Sequence, residues 1–300
     1  MSDSASVLVI GAGGRLGRAL SRADRPEGLG PVFARRADLD PLNAEALAAA
    51  LARRRPAVIL NAAGWTDVDG AERDPDGARR LNRDLPAALA RAAAEIGARL
   101  VHVSTDYVFD GETDRPYVET DPVRPLGVYG VTKLEGERAV LAAAPDAVIV
   151  RTAWLVGPDR PNFLTAVLDR ADSGEPLAVT DDQFGSPTTT ESLADALIAV
   201  AARLAADPAA PGGVYHFAGA GEASWRDLAQ AILTARESAG GPAAPLVSGR
   251  PADTGPGRAP RPRRSPLASD ALARDYGITA PPWREAVEAL LGRMTRGGDR

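Results

Sequence analysis

Tyr129 and Lys133 lie four residues apart in the stretch VYGVTK. On a helix this spacing puts both side chains on one face, one turn apart, so that the ammonium lies near the phenol. A nearby positive charge stabilises a phenolate and lowers the pKa of the tyrosine, which suits proton transfer near neutral pH. Such pairs also arise by chance, so the surrounding elements must decide whether this chemistry is present.

A glycine-rich turn follows the first apolar stretch of the chain. Residues 7–10 have the composition of a buried strand and run directly into GAGGRLG, residues 11–17. The spacing G-x-x-G-x-x-G permits a tight turn and lets a pyrophosphate approach the backbone at the start of the next helix. A purely structural turn is the alternative. We predict that this turn binds a dinucleotide through Gly11, Gly14, Arg15, Leu16 and Gly17.

The residues after the second predicted strand indicate which dinucleotide binds. A carboxylate at this place bonds the ribose 2′-hydroxyl of NAD, whereas arginine accommodates the 2′-phosphate of NADP. Arg35 and Arg36 stand just past the strand, followed by Asp38 and Leu39, which we place beside the adenine. The arginine pair favours NADPH. Use of NADH stays open, because two solvated arginines at a loop edge give the same pattern.

A stretch of small residues, NAAGWTDVDGAE, follows the third predicted strand at residues 61–72. Small side chains at Ala62, Ala63 and Gly64 let the backbone approach the ribose and nicotinamide of the cofactor. An ordinary surface loop is the alternative.

Strand-length apolar runs alternate with alanine-rich helical stretches through about the first 155 residues. This rhythm predicts an α/β fold, a Rossmann-type doubly wound parallel sheet with right-handed crossovers. The predicted strands are 7–10, 31–34, 57–60, 100–103 and 147–150, and the predicted helices are 43–54, 75–96 and 130–143.

The second half of the chain is less regular. We predict helices over 161–172, 190–206 and 282–293, a short strand over 177–179, and a strand over 214–217 that returns to the main sheet. The segment 240–266 is dense in Pro, Gly and Arg, which predicts a linker or a binding loop. We expect a dinucleotide-binding domain over 1–158, with 188–219 packing back onto it, and a smaller C-terminal substrate domain mainly over 159–300.

Composition excludes several classes of function. The 40 acidic residues exceed the 35 basic ones, and this net charge of −5 argues against a nucleic-acid binder. The chain has no Cys and two His, so we predict no disulfide and no thiolate or His-rich metal site, and we assign no metal ion. The first apolar run is too short for a signal or membrane helix, so we expect a cytoplasmic protein without a membrane partner.

The stretch VHVSTDYVFDG, residues 101–111, adds a motif that is specific in combination with the others. Together with the glycine turn, NAAGWTDVDGAE and VYGVTK, it resembles the extended short-chain dehydrogenase/reductases, and specifically the dTDP-4-dehydrorhamnose reductase family. The resemblance spans nearly the whole chain. It continues through RTAWLVG (151–157), DDQFGSPT (181–188), GVYHFAG (213–219) and RPRRSPL (261–267).

The resemblance implies that Thr105, Tyr129 and Lys133 form the catalytic set. Tyr129 would donate the proton to a carbonyl oxygen that receives a hydride, while Lys133 would lower the tyrosine pKa and hold the nicotinamide ribose. Thr105 would offer its hydroxyl to the same oxygen. Ser104 is the weaker candidate, because neighbouring side chains on a strand point to opposite faces.

The resemblance also implies residues that contact the substrate. Asp106 and Trp154 are placed at the sugar, although core packing is the alternative for Trp154. Arg264 replaces an asparagine common in the family, and we predict that it or Arg261 meets the substrate diphosphate; a solvated basic loop is the alternative. The substrate-side candidates are Thr105, Asp106, Trp154, Asn162, Gln183, Ser186 and Arg261. The two histidines, His102 and His216, are predicted to be buried and structural.

The implied reaction is reduction of the 4-keto group of dTDP-6-deoxy-L-lyxo-4-hexulose to dTDP-L-rhamnose with NADPH. A 4-ketoreductase for another dTDP-4-keto-6-deoxyhexose, a nucleotide-sugar epimerase and a non-catalytic NADP-binding subunit remain alternatives. A dehydratase is disfavoured, because Tyr107 occupies the place where those enzymes carry a glutamate. We expect a monomer or a homodimer.

Overall fold

The computed structural model describes residues 5–34, 43–242, 244–249 and 257–297. Arg35, Arg36, Asp38 and Leu39, predicted to select the cofactor, lie outside these ranges. The described strands are β1 (Ala5–Ile10), β2 (Leu29–Ala34), β3 (Val58–Asn61), β4 (Arg99–Thr105), β5 (Val148–Thr152), β6 (Leu155–Val156), β7 (Leu177–Val179), β8 (Phe184–Gly185), β9 (Thr188–Thr189), β10 (Gly213–His216), β11 (Ala223–Ser224) and β12 (Leu246–Ser248). The described helices are α1 (Arg15–Arg22), α2 (Ala44–Arg54), α3 (Val68–Arg73), α4 (Pro75–Arg79), α5 (Leu85–Ile96), α6 (Val128–Ala143), α7 (Phe163–Ser173), α8 (Thr190–Ala206), α9 (Trp225–Ser238), α10 (Asp270–Tyr276) and α11 (Trp283–Gly297).

Six parallel strands form the main sheet of the described chain, in the order β10-β5-β4-β3-β1-β2. This arrangement confirms the predicted doubly wound parallel sheet, including the return of the strand predicted at 214–217. The strand order reverses between β1 and β3. Ligands of open α/β sheets bind at such a reversal, beyond the carboxyl ends of the strands.

Helices cover both faces of the sheet because its strands are apolar on both sides. Val7 and Val9 of β1 pack in one core with α1 and α8. Leu8 and Ile10 point the other way, into a second core with α2, α5 and α6. The helix predicted over 190–206 therefore lies against the strands of the first half of the chain.

A third apolar core joins α7, α9 and α11. The helices α3, α9 and α10 were absent from the sequence predictions. α9 begins with a capping box between Ser224 and Asp227, a signal that can be read from the sequence. In the segment predicted as a linker or binding loop, β12 pairs in parallel with β7.

The helix predicted over 75–96 is interrupted by a π-helical turn, Arg80–Asp84, between α4 and α5. Within that turn the fully buried Asn82 accepts a hydrogen bond from the Trp65 N–H at 2.8 Å and donates to the Thr132 hydroxyl at 3.1 Å. Such turns often mark functional sites. Here it ties the loop after β3 to α6.

Among the described helices, none combines the length and apolar character that a membrane crossing needs.

Candidate active site

The glycine-rich turn requires glycine for lack of space. Gly11 adopts φ +89°, and a Cβ on it would lie 2.7 Å from the amide nitrogen of Ala63. A Cβ on Gly17 would lie 2.3 Å from the carbonyl oxygen of Gly11. Gly14 is the N-cap of α1, and the first turn of that helix has no acidic residue. The structure thus brings the turn, the start of α1 and the loop after β3 together at the strand-order reversal.

The loop after β6 contacts the glycine-rich turn, and this contact was not predicted from the sequence. The Arg160 Nε donates to the carbonyl oxygen of Gly13 at 3.0 Å, and the Arg15 Nη1 donates to that of Pro161 at 3.4 Å. Arg160 has φ +59°, a conformation that non-glycine residues seldom adopt. Two guanidinium groups therefore lie beside the predicted pyrophosphate site.

Thr105, Tyr129 and Lys133 converge where β4 ends and α6 begins. Thr105 is the last residue of β4, and its hydroxyl lies close enough to the Tyr129 phenol to lower the pKa of that phenol. Lys133 is buried, and its Nζ donates to the carbonyl oxygen of Val103 at 2.6 Å. A Cβ on Gly130 would lie 2.2 Å from the carbonyl oxygen of Tyr107, so glycine there lets α6 approach this close to β4.

The charges around Tyr129 differ from the sequence prediction. Burial raises the pKa of Tyr129 to about 12, and the nearby Thr105 hydroxyl acts in the opposite direction. Among nearby charges, Asp106 also raises this pKa, and the positive group that lowers it is Arg15. The spacing of Tyr129 and Lys133 predicted this effect for Lys133. Lys133 instead bonds to the backbone of β4, and burial lowers its own pKa to about 8, opposed by Glu137.

A buried ion pair lies beneath the catalytic set. Glu137, one helical turn after Lys133, accepts two hydrogen bonds from Arg151, Nε at 2.9 Å and Nη2 at 2.6 Å. The Ser104 hydroxyl donates to the same carboxylate at 2.5 Å. Ser104 and Thr105 therefore point in different directions, as strand geometry predicts. Ser104 donates its hydrogen bond to the ion pair and not to the catalytic set.

Asp106 is buried between the catalytic threonine and the C-terminal part of the chain. Its Oδ1 accepts from the Thr105 hydroxyl at 3.1 Å, and its Oδ2 accepts from the Ser265 hydroxyl at 2.6 Å. Burial raises the pKa of Asp106 to about 6, and these hydrogen bonds oppose the rise. Both carboxylate oxygens already have partners, so its predicted sugar contact requires an exchange of partners.

Arg261 reaches the catalytic tyrosine through Tyr107. The Tyr107 ring meets the Tyr129 ring edge-on, with centroids 5.4 Å apart. Burial raises the pKa of Tyr107, and the positive charge of Arg261 opposes the rise. The Arg261 Nη2 also donates to Asp69 of α3 at 2.9 Å. Arg261, which is predicted to bind the substrate diphosphate, thus lies near Tyr107, and Tyr107 contacts the catalytic Tyr129.

Trp154 has a left-handed backbone conformation and an aromatic partner that was not predicted from the sequence. It adopts φ +43°, and its ring stacks on Trp225 at 3.7 Å between centroids, 5° from parallel. The Trp225 indole N–H donates to Gln183 at 3.1 Å. A Cβ on Gly185 would lie 2.4 Å from the Trp154 ring. Trp154 is partly exposed just after β5, and its sugar contact remains a prediction. Gln183 contacts Trp225, which in turn stacks on Trp154.

Three other predicted residues have local partners. Asn162 is the N-cap of α7, and its amide also bonds to the carbonyl oxygens of Gly157 and Arg160. The buried Ser186 donates to the carbonyl oxygen of Gly221 at 3.0 Å. Arg264 forms a two-point pair with Glu222, with contacts of 2.9 and 2.5 Å. A diphosphate contact by Arg264 would compete with this pair.

The two histidines are buried, as predicted. Burial lowers the pKa of His102 well below its usual value and that of His216 to about 3. His102 bonds to Asn61 at 3.0 Å, and His216 to the carbonyl oxygen of Tyr117 at 3.1 Å. Both are neutral at physiological pH and are disfavoured as acid catalysts.

Comparison with known proteins agrees with this geometry. The family described as the RmlD substrate binding domain matches residues 5–296. A dTDP-4-dehydrorhamnose reductase of Burkholderia thailandensis is 40% identical over 289 residues, covering 94% of this chain and 96% of the relative. The chain belongs to the dTDP-4-dehydrorhamnose reductase family.

Solved structures of this family share the fold along nearly the whole chain. A dTDP-4-dehydrorhamnose reductase of Clostridium acetobutylicum superposes with a TM-score of 0.88 at 33% identity, covering 96% of this chain and 99% of the other. One from Bacillus anthracis, solved in complex with NADP, superposes with a TM-score of 0.86 at 29% identity, covering 98% and 99%.

Proposed function

We propose that this chain reduces the 4-keto group of dTDP-6-deoxy-L-lyxo-4-hexulose, giving dTDP-L-rhamnose, with NADPH as the hydride donor. The observation that carries the proposal is the convergence of Thr105, Tyr129 and Lys133 beside the glycine-rich turn. A ketone reductase needs an acid at the carbonyl oxygen within reach of its cofactor. The membership of the chain in the dTDP-4-dehydrorhamnose reductase family supports this substrate.

The residues around the glycine-rich turn fit a dinucleotide. Gly11 and Gly17 leave the space that a Cβ would fill, and Gly14, Arg15 and Leu16 open α1, whose N-terminus favours an anion. Ala62, Ala63 and Gly64 line the loop that touches Gly11. We assign the pyrophosphate to the turn and the nicotinamide end to this loop, close to Lys133. The bound NADPH supplies the hydride. The 2′-phosphate is assigned to Arg35 and Arg36, and the adenine to Asp38 and Leu39.

Tyr129 acts as the acid. Its raised pKa keeps the phenol protonated at neutral pH, so that it donates a proton as negative charge develops on the C4 oxygen. The Thr105 hydroxyl donates to the same oxygen, which means leaving Asp106 when substrate binds. Arg15, whose charge lowers the pKa of Tyr129, then stabilises the phenolate that remains, and Lys133 holds the nicotinamide ribose.

The substrate side is assigned to residues that surround this acid. Trp154 offers a partly exposed ring at the end of β5 for the sugar, and Arg261 offers a cation for the diphosphate beside Tyr107. Asn162, Gln183 and Ser186 shape this side through the contacts that fix its loops. We place the cofactor domain at 1–158 with 188–219, supported by the pairing of β10 with β5, and the substrate domain mainly at 159–300.

The test supplies the purified protein with dTDP-6-deoxy-L-lyxo-4-hexulose and NADPH. We expect loss of NADPH absorbance and a product that NMR identifies as dTDP-L-rhamnose. No consumption of NADPH, or a product with the opposite configuration at C4, would contradict the proposal.

A further inference from the structure

The catalytic helix α6 begins without a capping side chain of its own. Its N-cap is Gly127, which makes no side-chain cap hydrogen bond. The first N–H groups of a helix have no partner within the helix, and an uncapped end frays. Tyr129 is the second residue of α6. Movement of this turn would therefore move the phenol directly.

Glu72 of α3 supplies the missing cap from another part of the chain. Its Oε1 accepts a hydrogen bond from the Val128 N–H at 2.7 Å. A carboxylate at this end of a helix is further stabilised by the helix dipole. The two residues are separated by 56 positions in the sequence, so this cap fixes α6 relative to α3.

Gly127 is needed for this arrangement. A Cβ on it would lie 2.7 Å from the Glu72 Oε1 and 3.4 Å from the ring of Pro260. The backbone at Gly127 is extended, with φ −129°, so any residue could adopt it. The requirement for glycine therefore comes from the space that the Glu72 carboxylate occupies.

The helix that carries Glu72 is itself well anchored. Asp67 caps α3 by accepting from the Gly70 N–H at 2.8 Å. Asp69 accepts from the Ala259 N–H and from the guanidinium groups of Arg258 and Arg261, each at 2.9 Å. Glu72 thus extends from a helix that is tied to the C-terminal segment.

We propose that Glu72 is a positioning residue for Tyr129: by capping α6 in place of Gly127, it holds the first turn where the phenol meets Thr105. This inference rests on the proposed function only in taking Tyr129 as the acid. Small displacements of a catalytic group are costly, because proton transfer requires hydrogen-bond distance. Glu72 belongs to the stretch NAAGWTDVDGAE, whose second half the cofactor assignment left without a role.

The test compares E72A, E72Q, G127S and the double variant E72A/G127S. We expect E72A to lower kcat about tenfold with the NADPH dissociation constant within about twofold of the wild type. E72Q keeps an acceptor oxygen at the same place and should retain kcat within about threefold. G127S should lower kcat because its side chain displaces Glu72. The double variant should recover most of the loss, because the serine caps α6 in the space that Glu72 vacates.

E135A is the matched control. Glu135 lies on α6, six residues beyond Tyr129, and pairs with Arg79 at 3.0 Å, so its loss should leave kcat unchanged. Hydrogen exchange of the Val128 amide should accelerate in E72A and not in E135A. This measurement does not depend on which sugar is reduced, so it separates failure of this inference from failure of the proposed reaction. A kcat of E72A within twofold of wild type, or a double variant no better than E72A, would overturn the proposal. If E72A does not fold, the recovery of E72A/G127S decides alone.

Discussion

The ammonium of Lys133 lies 2.6 Å from the carbonyl oxygen of Val103. This hydrogen bond anchors the lysine to β4, two residues before Thr105. The arrangement places a buried positive charge under the loop of Gly64, because a Cβ on that glycine would lie 3.9 Å from Nζ. The catalytic set is therefore fixed through the sheet as well as through the helix.

The burial of Lys133 predicts a loss of activity in alkali. Its pKa is lowered to about 8, so the side chain is charged below this pH and loses its proton above it. We expect kcat/KM to be level near pH 7 and to fall above about pH 8, since this ratio reports groups of the free enzyme. The measurement is kcat/KM for NADPH between pH 6 and 10. A kcat/KM that stays level up to pH 10 would contradict the prediction that loss of the Lys133 proton lowers activity.

The space around two glycines of the glycine-rich turn predicts that alanine substitutions there affect NADPH binding differently. A Cβ on Gly17 meets the backbone of Gly11 at 2.3 Å, whereas a Cβ on Gly13 meets nothing within 4 Å. We expect G17A to weaken NADPH binding at least tenfold and G13A to change it less than about threefold. Fluorescence titration with NADPH measures both. Equal affinities for the two variants would show that the turn does not hold the cofactor.

Removal of the Glu137 carboxylate should destabilise the fold. Glu137 and Arg151 are both buried, and an unpaired guanidinium in that place costs about 3–5 kcal/mol. We expect E137Q to lower the free energy of unfolding by about this amount in urea denaturation. The Arg79 pair of Glu135 is partly exposed, so E135Q should cost about 1 kcal/mol or less. An E137Q variant no less stable than E135Q would contradict the role of the buried pair.

The two arginines predicted at the diphosphate should differ. Arg261 lies near Tyr107 and shares the Asp69 carboxylate with Arg258, whereas the Arg264 guanidinium is held at two points by Glu222. Loss of a charged hydrogen bond costs about 1.5–3 kcal/mol, so R261A should raise the sugar-nucleotide KM about tenfold or more. R264A should raise it less than about threefold. Steady-state KM values decide, and an R264A effect larger than that of R261A would reverse the assignment.

The sequence predicted the sheet well because its signals are local. Apolar runs such as residues 7–10 and the glycines at 11, 14 and 17 act on their own neighbours, and the structure contains that strand, turn and helix. The predicted helix over 190–206 matches α8, whose apolar periodicity reflects its burial on the sheet.

Contacts between distant segments escaped prediction because nothing in either segment specifies its partner. Arg261 and Asp69 are 192 positions apart, and Ser265 and Asp106 are 159 apart. The same holds for Trp225 on Trp154 and for Glu72 at the start of α6. For the same reason the sequence did not predict Arg15 as a charge near Tyr129, since only the folded chain brings the two residues together.

The most direct test of the account follows one deuterium atom. NADPH labelled at the transferred position of the nicotinamide is supplied to the wild type and to Y129F together with dTDP-6-deoxy-L-lyxo-4-hexulose. We expect the wild type to give dTDP-L-rhamnose with deuterium at C4. We expect Y129F to bind NADPH normally while kcat falls about a hundredfold or more, the usual contribution of a general acid. Product without deuterium at C4, or a Y129F variant with wild-type kcat, would contradict the assignment of hydride transfer to C4 with Tyr129 as the acid.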